Sequence, residues 1–193
     1  IDQQGSMYEG EWKNDAYHGK GTEQWNYNQI IYTGDFVDGQ KTGKGKFEFD
    51  GNIYQGDFVD GKFHGKGKYY FADSGKIYEG EFHENNMHGK GKLTWQDQSY
   101  YEGEFKNGKM DGHGVRVYEN GDKCTGQFKD DMRHGPAVVY NAKIKGERKT
   151  EFVYDKEKNM MAAAAPQAQM PHAEIEESVT DMPGTSSPWR AMR

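Results

Sequence analysis

Along most of this chain apolar and polar residues alternate with a period of two, and the alternation restarts at fixed intervals. Tyr78, Gly80 and Phe82 fall on one face of an extended segment and Glu79 and Glu81 on the other, the pattern of a half-buried β-strand. The same unit reads Tyr8-x-Gly10-x-Trp12, Tyr32-x-Gly34-x-Phe36, Tyr54-x-Gly56-x-Phe58 and Tyr101-x-Gly103-x-Phe105, with a degenerate sixth copy at Cys124-x-Gly126-x-Phe128. Turn dipeptides follow, among them Asp38-Gly39, Asp60-Gly61 and Asn107-Gly108, which accept positive φ in a tight hairpin. A second strand is then expected to start at a Gly-x-Gly pair: Gly19 and Gly21, Gly43 and Gly45, Gly65 and Gly67, Gly89 and Gly91, Gly112 and Gly114, with Gly135-Pro136 in the sixth copy. Two by two, that strand carries Gly89, Gly91, Leu93 and Trp95 on one face. Its last position is aromatic in every copy: Trp25, Phe49, Phe71, Trp95, Tyr118 and Tyr140. Asp50-Gly51, Ser74-Gly75 and Asn120-Gly121 turn the chain into the next hairpin.

The glycine positions recur at intervals of 24, 22, 24, 23 and 23 residues. A fixed period in this range marks a repeat array, in which each unit buries its apolar face only by stacking on its neighbours. The expected fold is all-β: an elongated, single-layer antiparallel sheet of consecutive hairpins. Six repeats span residues 7–140, and a degenerate unit containing Phe152-Val153-Tyr154 as an edge strand extends the array over residues 1–155. Asp2-Gln3-Gln4-Gly5 resembles the turns between repeats, so the array is expected to start upstream of Ile1. From about Lys156 the composition shifts to Pro and Ala, and residues 156–193 read as a tail with no core of its own, with a short helix over Ala173 to Val179.

Glycine weakens a strand, so its presence on the ring-bearing face needs a reason. The steric one is that a missing side chain leaves a slot where a neighbouring ring lies flat on the backbone. Three glycines and three rings per hairpin then make one thin aromatic layer. The opposite face carries acids on first strands (Glu9, Glu11, Asp35, Asp57, Glu79, Glu81, Glu102, Glu104) and lysines on second strands (Lys20, Lys44, Lys46, Lys66, Lys68, Lys90, Lys92). Neighbouring strands thus pair acid with base, each exposed pair contributing about 0.2–1 kcal/mol.

Composition agrees with a thin, ring-dependent core. Hydrophobic residues are only 33% of the 193, against 14% aromatic, and mean hydropathy is -1.13, so apolar burial must come from rings. The net charge of -6 gives no overall basic field for nucleic acid. One cysteine, Cys124, excludes an internal disulfide and suits a reducing compartment. No apolar run approaches the length of a membrane span.

These residues resemble the MORN (membrane occupation and recognition nexus) repeat, a unit of about 23 residues with a Tyr-x-Gly-x-[Phe/Trp] start and a later His-Gly-x-Gly. The match covers residues 7–136; the sixth copy departs at Cys124 and at Pro136, taken in place of the second glycine. Such arrays occur in junctophilins, phosphatidylinositol phosphate kinases, a SET-domain methyltransferase, radial spoke head proteins and cytoskeletal scaffolds. A nearly pure array is most similar to the axonemal and cytoskeletal members. The resemblance implies a non-enzymatic scaffold in the ciliary axoneme or cytoskeleton, on the cytoplasmic side. The alternatives are a membrane-associated organiser binding anionic phospholipid and the regulatory arm of a larger enzyme.

The residues offer no chemistry that competes with this. His18, His64, His88 and His134 precede the Gly-x-Gly pairs, where Thr42 and Asp111 also stand. Equivalent positions in adjacent hairpins lie about 9–10 Å apart, too far to share a zinc ion, so these side chains are expected to hydrogen-bond near the turn. The Gly-x-Gly pairs lack the helix and Lys-Ser/Thr of a phosphate loop, and the acidic stripe is even, exposed and reads as solvated. Catalytic residues, metal and cofactors are therefore expected to be none. The candidate site is an aromatic groove for a helix or peptide of a protein partner, lined by Tyr8, Trp12, Trp25, Tyr32, Phe36, Phe49, Tyr54, Phe58, Phe71, Tyr78, Phe82, Trp95, Tyr101, Phe105 and Tyr118. Trp189 and Arg190 are a candidate tail anchor. Partners are expected to be other proteins of a large assembly, with self-association through edge strands; nucleic acid is excluded and lipid disfavoured, because the interleaved acids cancel the lysines' field.

Overall fold

The computed structural model of the chain describes residues 6–25 and 29–157. The turn at Asp2 to Gly5, the helix over Ala173 to Val179 and the anchor at Trp189 and Arg190 lie outside the described residues.

Among the described residues fourteen strands follow one another in chain order, each antiparallel to the next, in one open sheet. They pair as hairpins: β1 (Met7–Lys13) with β2 (Ala16–Trp25), β3 (Ile30–Val37) with β4 (Gln40–Phe49), β5 (Asn52–Val59) with β6 (Lys62–Tyr70), β7 (Ile77–His83) with β8 (Asn86–Thr94), β9 (Tyr100–Lys106) with β10 (Lys109–Val117), β11 (Lys123–Lys129) with β12 (Met132–Asn141), and β13 (Gly146–Val153) with the two-residue β14 (Lys156–Glu157). The sheet thus runs two residues past the expected end of the array, into the segment read as tail.

Each hairpin closes through a two-residue turn with both φ values positive, as at Asp38 and Gly39 (48° and 81°) and at Glu84 and Asn85 (47° and 69°), the type I′ geometry whose twist matches the strands. The second turn residue reaches back one repeat. Gly61 and Asn85 donate their N–H groups to the carbonyls of Lys41 and Phe63. Where that residue carries a side chain it also returns a bond: Asn85 Oδ1 accepts from Phe63 N at 2.8 Å and Asp131 Oδ1 from Met110 N at 2.8 Å.

The second strands begin three residues earlier than the sequence suggested, at Asn86 rather than Gly89 in β8. The reason is a bulge. Gly34 pairs with Gly45 and Asp35 with Thr42, which leaves Gly43 and Lys44 unmatched in the β3–β4 ladder. The first glycine of each pair is therefore left-handed (φ 58° at Gly43, Gly65 and Gly89), a conformation that glycine adopts without strain. It does not face the rings. A Cβ on Gly43 would stand 2.7 Å from Asp35 Oδ2.

The other two glycines do what the alternation predicted. A Cβ on Gly45 would stand 2.6–2.8 Å from the Tyr32 ring atoms, and one on Gly34 2.5 Å from Tyr32 Oη. Each first-strand tyrosine thus lies flat across one glycine of its own strand and one of the next. Two glycines per hairpin, not three, hold the ring, and Tyr54, Tyr78 and Tyr101 repeat the arrangement on Gly67, Gly91 and Gly114. In the sixth repeat the register pairs Gly126 with Ala137. Ala137, not Pro136, therefore stands at the second glycine position.

Gly91→Ala places a methyl carbon in the volume of the Tyr78 ring and is expected to destabilise the array by about 3 kcal/mol. Gly61→Asn alters a turn with open space around it, keeps a residue that tolerates positive φ, and is expected to change stability by less than about 0.5 kcal/mol. Denaturant unfolding followed by circular dichroism compares the two; equal losses would refute the ring-on-glycine packing.

Candidate interaction face

One face of the sheet is a continuous chain of rings in edge-to-face contact. Tyr32 meets Phe36 of its own strand at 5.1 Å and Phe58 of the next repeat at 4.9 Å. Tyr54 meets Phe58 and Phe82 at 5.2 and 5.0 Å, Tyr78 meets Phe82 and Phe105 at 5.1 and 4.9 Å, and Tyr101 meets Phe105 and Phe128 at 5.2 and 4.8 Å. Each such pair contributes about 0.5–1.5 kcal/mol beyond area burial. The phenols are satisfied locally: Tyr32, Tyr54, Tyr78 and Tyr101 donate to the carbonyls of Asp35, Asp57, Glu81 and Glu104 at 2.8–3.1 Å.

A third member of the layer was not singled out in the sequence. The position nine residues after each tyrosine, Tyr17, Lys41, Phe63, Met87 and Met110, belongs to the ring layer. Tyr17 stacks on Tyr8 at 3.7 Å and Phe63 on Tyr54 at 3.8 Å, and Met87 and Met110 join the same core cluster. Lys41 hid the column because it is charged; its Nζ sits 5.4 Å from the Tyr32 ring and pairs with Glu23 Oε2 at 2.7 Å.

This packing divides the predicted groove. Tyr32, Phe36, Tyr54, Phe58, Tyr78, Phe82, Tyr101 and Phe105 are 0–3% exposed, so they form the core and present no surface to a partner. The reason is that a ring lying flat on glycine covers the backbone while the phenylalanines cover the ring. Trp12 is 58% exposed at the β1 edge, and Tyr8 is half-buried beside it. The accessible part of the face is the row that closes the second strands, where Trp25, Phe49, Phe71, Trp95 and Tyr118 are all half-buried. Cations lie on this row. Lys41 Nζ is 4.5 Å from the Trp25 ring, Lys76 Nζ 5.7 Å from Phe71, and the Arg116 guanidinium lies 3.7 Å from Trp95 and 5.1 Å from Tyr118.

On the opposite face the acids fall into two groups. Glu79 and Glu102 are exposed and pair loosely with Lys68 and Lys92 at 3.6 and 3.9 Å. The acid after the central glycine is structural, contrary to the reading of one solvated stripe. Glu11, Asp35, Asp57 and Glu104 accept the bulge N–H groups of Lys20, Lys44, Lys66 and His113 at 2.8–3.0 Å. The Lys20 ammonium, against partial desolvation and with help from the Lys44 N–H, holds the Asp35 carboxyl below the usual carboxylate range. The histidines do not follow one pattern either. His18 Nδ1 and His134 Nδ1 are buried with no hydrogen-bond partner, although His18 Nδ1 lies 3.6 Å from Asp38. Among the described residues no three His, Cys, Asp or Glu side chains form a metal cage.

The sixth repeat shows what each contact requires. Cys124 replaces the tyrosine, and the methyl of Ala137 fills the space that the ring would take: a Cβ on Gly126 would meet Ala137 Cβ at 2.7 Å. Gln127 replaces the bulge acid and Pro136 replaces the residue whose N–H that acid would accept. Both partners of each interaction change together. Burial pushes the Cys124 thiol up to about 11.

Cys124→Tyr alone is expected to destabilise the protein, because Ala137 occupies the ring's place, whereas Cys124→Tyr with Ala137→Gly restores the arrangement of the other repeats. A coupling of at least about 1 kcal/mol in a double-mutant cycle checks this; additive effects would contradict it.

Burial also raises the phenols of Tyr32, Tyr54, Tyr78 and Tyr101 well above their ordinary value. The folded chain binds these protons more tightly than the unfolded chain, so the stabilisation is complete below about pH 10 and is lost above it, by up to about 1.4 kcal/mol per pH unit for each ring. Alkaline titration is therefore expected to show the phenolate absorbance of the buried tyrosines appearing together with loss of the sheet's circular dichroism. Full ionisation near pH 10 in an intact sheet would contradict this burial.

Comparison with known proteins follows the same periodicity. A model of the MORN repeat matches residues 8–26, 32–52, 54–76, 78–100, 101–123 and 124–140, more than half of the chain. The MORN repeat-containing protein 3 of Xenopus laevis is 44% identical over 43 residues, which are 22% of this chain and 18% of that protein, so the match spans less than a fifth of the relative. Among solved structures, the SAS-4 (dCPAP) TCP domain of Drosophila melanogaster, in complex with a proline-rich motif of Ana2 (dSTIL), is similar at a TM-score of 0.43 and 12% identity, covering 77% of this chain and 92% of that one. At that score the likeness carries no argument.

Proposed function

The chain belongs to the MORN repeat family, whose arrays mediate protein or lipid interactions, and on that premise we propose that it is a non-enzymatic scaffolding subunit that binds protein partners along its ring face. The observation that carries this reading is the half-buried row Trp25, Phe49, Phe71, Trp95 and Tyr118. The buried rings beneath are already fully packed, so the exposed part of this row is the ring surface left for a partner, repeated once per hairpin along a sheet roughly 60 Å across. Large rings flanked by cations are the side chains that dominate protein interfaces. The lysines of the other face favour protein over lipid, because Lys44, Lys68 and Lys92 each meet a carboxylate of the next hairpin and leave little net field.

The assembly is the ciliary axoneme or a related cytoskeletal structure, on the cytoplasmic side. Support for this is the resemblance of a nearly pure array to the axonemal and cytoskeletal members of the family. The test is a pull-down from a ciliated-cell lysate at low and high salt, with wild type and a Trp25→Ala, Trp95→Ala variant whose circular dichroism matches wild type. Spoke or other axonemal proteins are expected with wild type at both salts and not with the variant. Membrane proteins and lipid released by salt would move the function to the lysine face.

A further inference from the structure

The polar face holds one cluster that the repeat pattern does not require. The residue directly after the aromatic that closes each first-strand motif is Lys13, Val37, Val59, His83, Lys106 and Lys129 in the six copies. At His83 the side chain stands between two histidines of the pre-bulge column. Its ring centroid is 5.1 Å from that of His64 on β6 and 5.6 Å from that of His88 on β8. His64 and His88 are two strands apart, about 9.6 Å, and cannot share an ion. His83, on the strand between them, supplies a ligand that neither finds one repeat away.

We propose that His64 and His83 form an open, two-imidazole site for a borderline divalent transition metal, zinc or copper, bridging the third and fourth repeats. Two imidazole nitrogens each about 2.0–2.1 Å from a tetrahedral ion place their ring centroids roughly 5.2 Å apart, which is the separation of this pair. The neighbouring strands hold the two backbones at that spacing, so only ring rotations are needed to aim both nitrogens at one point. His83 is exposed and His64 half-buried, so an ion enters from solvent and keeps water at its remaining positions. Asp57 lies directly opposite His64 in the β5–β6 ladder, but its carboxylate is already paired with Lys44, so the two imidazoles alone carry the site. Imidazole selects zinc and copper over the hard, oxygen-seeking calcium and magnesium.

The test uses the full, untagged chain titrated calorimetrically with zinc chloride, then with copper(II) chloride, in metal-free buffer. One ion is expected per chain. His83→Val installs the residue that Val37 and Val59 hold in neighbouring repeats, so the fold is preserved; removing a ligand costs at least what removing its outer-shell partner costs, roughly tenfold in affinity. His64→Thr, the residue found at Thr42, is expected to give the same loss, and His134→Thr none. No binding by wild type, unchanged affinity in His83→Val, or an equal loss in His134→Thr would overturn the site. Loss in His88→Thr with His64→Thr silent would overturn the pairing.

Discussion

The first five repeats of this sheet depend on a tyrosine ring lying flat on two glycines. A single β-layer has no second layer to bury its apolar face, so the rings must cover the backbone and one another. A side chain at Gly34 or Gly45 would lift Tyr32 off the sheet. With the ring flat, its edge reaches the phenylalanine of its own repeat and of the next, and its hydroxyl reaches the carbonyl three residues on. One side chain thus joins two strands, two repeats and a backbone acceptor. Cooperativity between repeats follows, because Tyr32, Tyr54, Tyr78 and Tyr101 are each packed by a phenylalanine of the next hairpin as well as by one of their own.

The bulge is the second constraint and is coupled to the first. The two unmatched residues of each second strand let the tight turn close and still bring Gly45 opposite Gly34. The cost is an unmatched N–H, which the carboxylate after the central glycine accepts. The bond is exposed, so its net contribution is about 0.5–1.5 kcal/mol, and its further effect is to fix the bulge geometry. These carboxylates therefore hold the register that seats the tyrosines. The sixth repeat supports this reading: ring and glycine are replaced together by Cys124 and Ala137, and acceptor and donor together by Gln127 and Pro136.

The division of the aromatic face gives the functional reading its content. Rings that lie on glycine are consumed by the fold, and rings that end the second strands stay half-buried. Lys41, Lys76 and Arg116 rest on that outer row, so a partner meets alternating rings and cations. The polar face is largely neutralised by pairing across hairpins, and His83 brings a third imidazole between His64 and His88.

The sequence alone determined the period, the all-β hairpin array, the ring-bearing face, the tight turns and the reason for glycine beneath the rings. All of these rest on local alternation, on turn chemistry and on repetition, which survive in one dimension. Tertiary structure alone decided which glycine turns left-handed, which acids are structural, which rings are buried and that Ala137 stands in the place of a glycine. Each of those depends on cross-strand register, and a two-residue bulge shifts register without disturbing the spacing that the sequence displays. The same holds for the Tyr17 to Met110 column and for His83 beside His64: neighbours across a ladder are about 4.8 Å apart in space and nine to twenty-two residues apart in the chain.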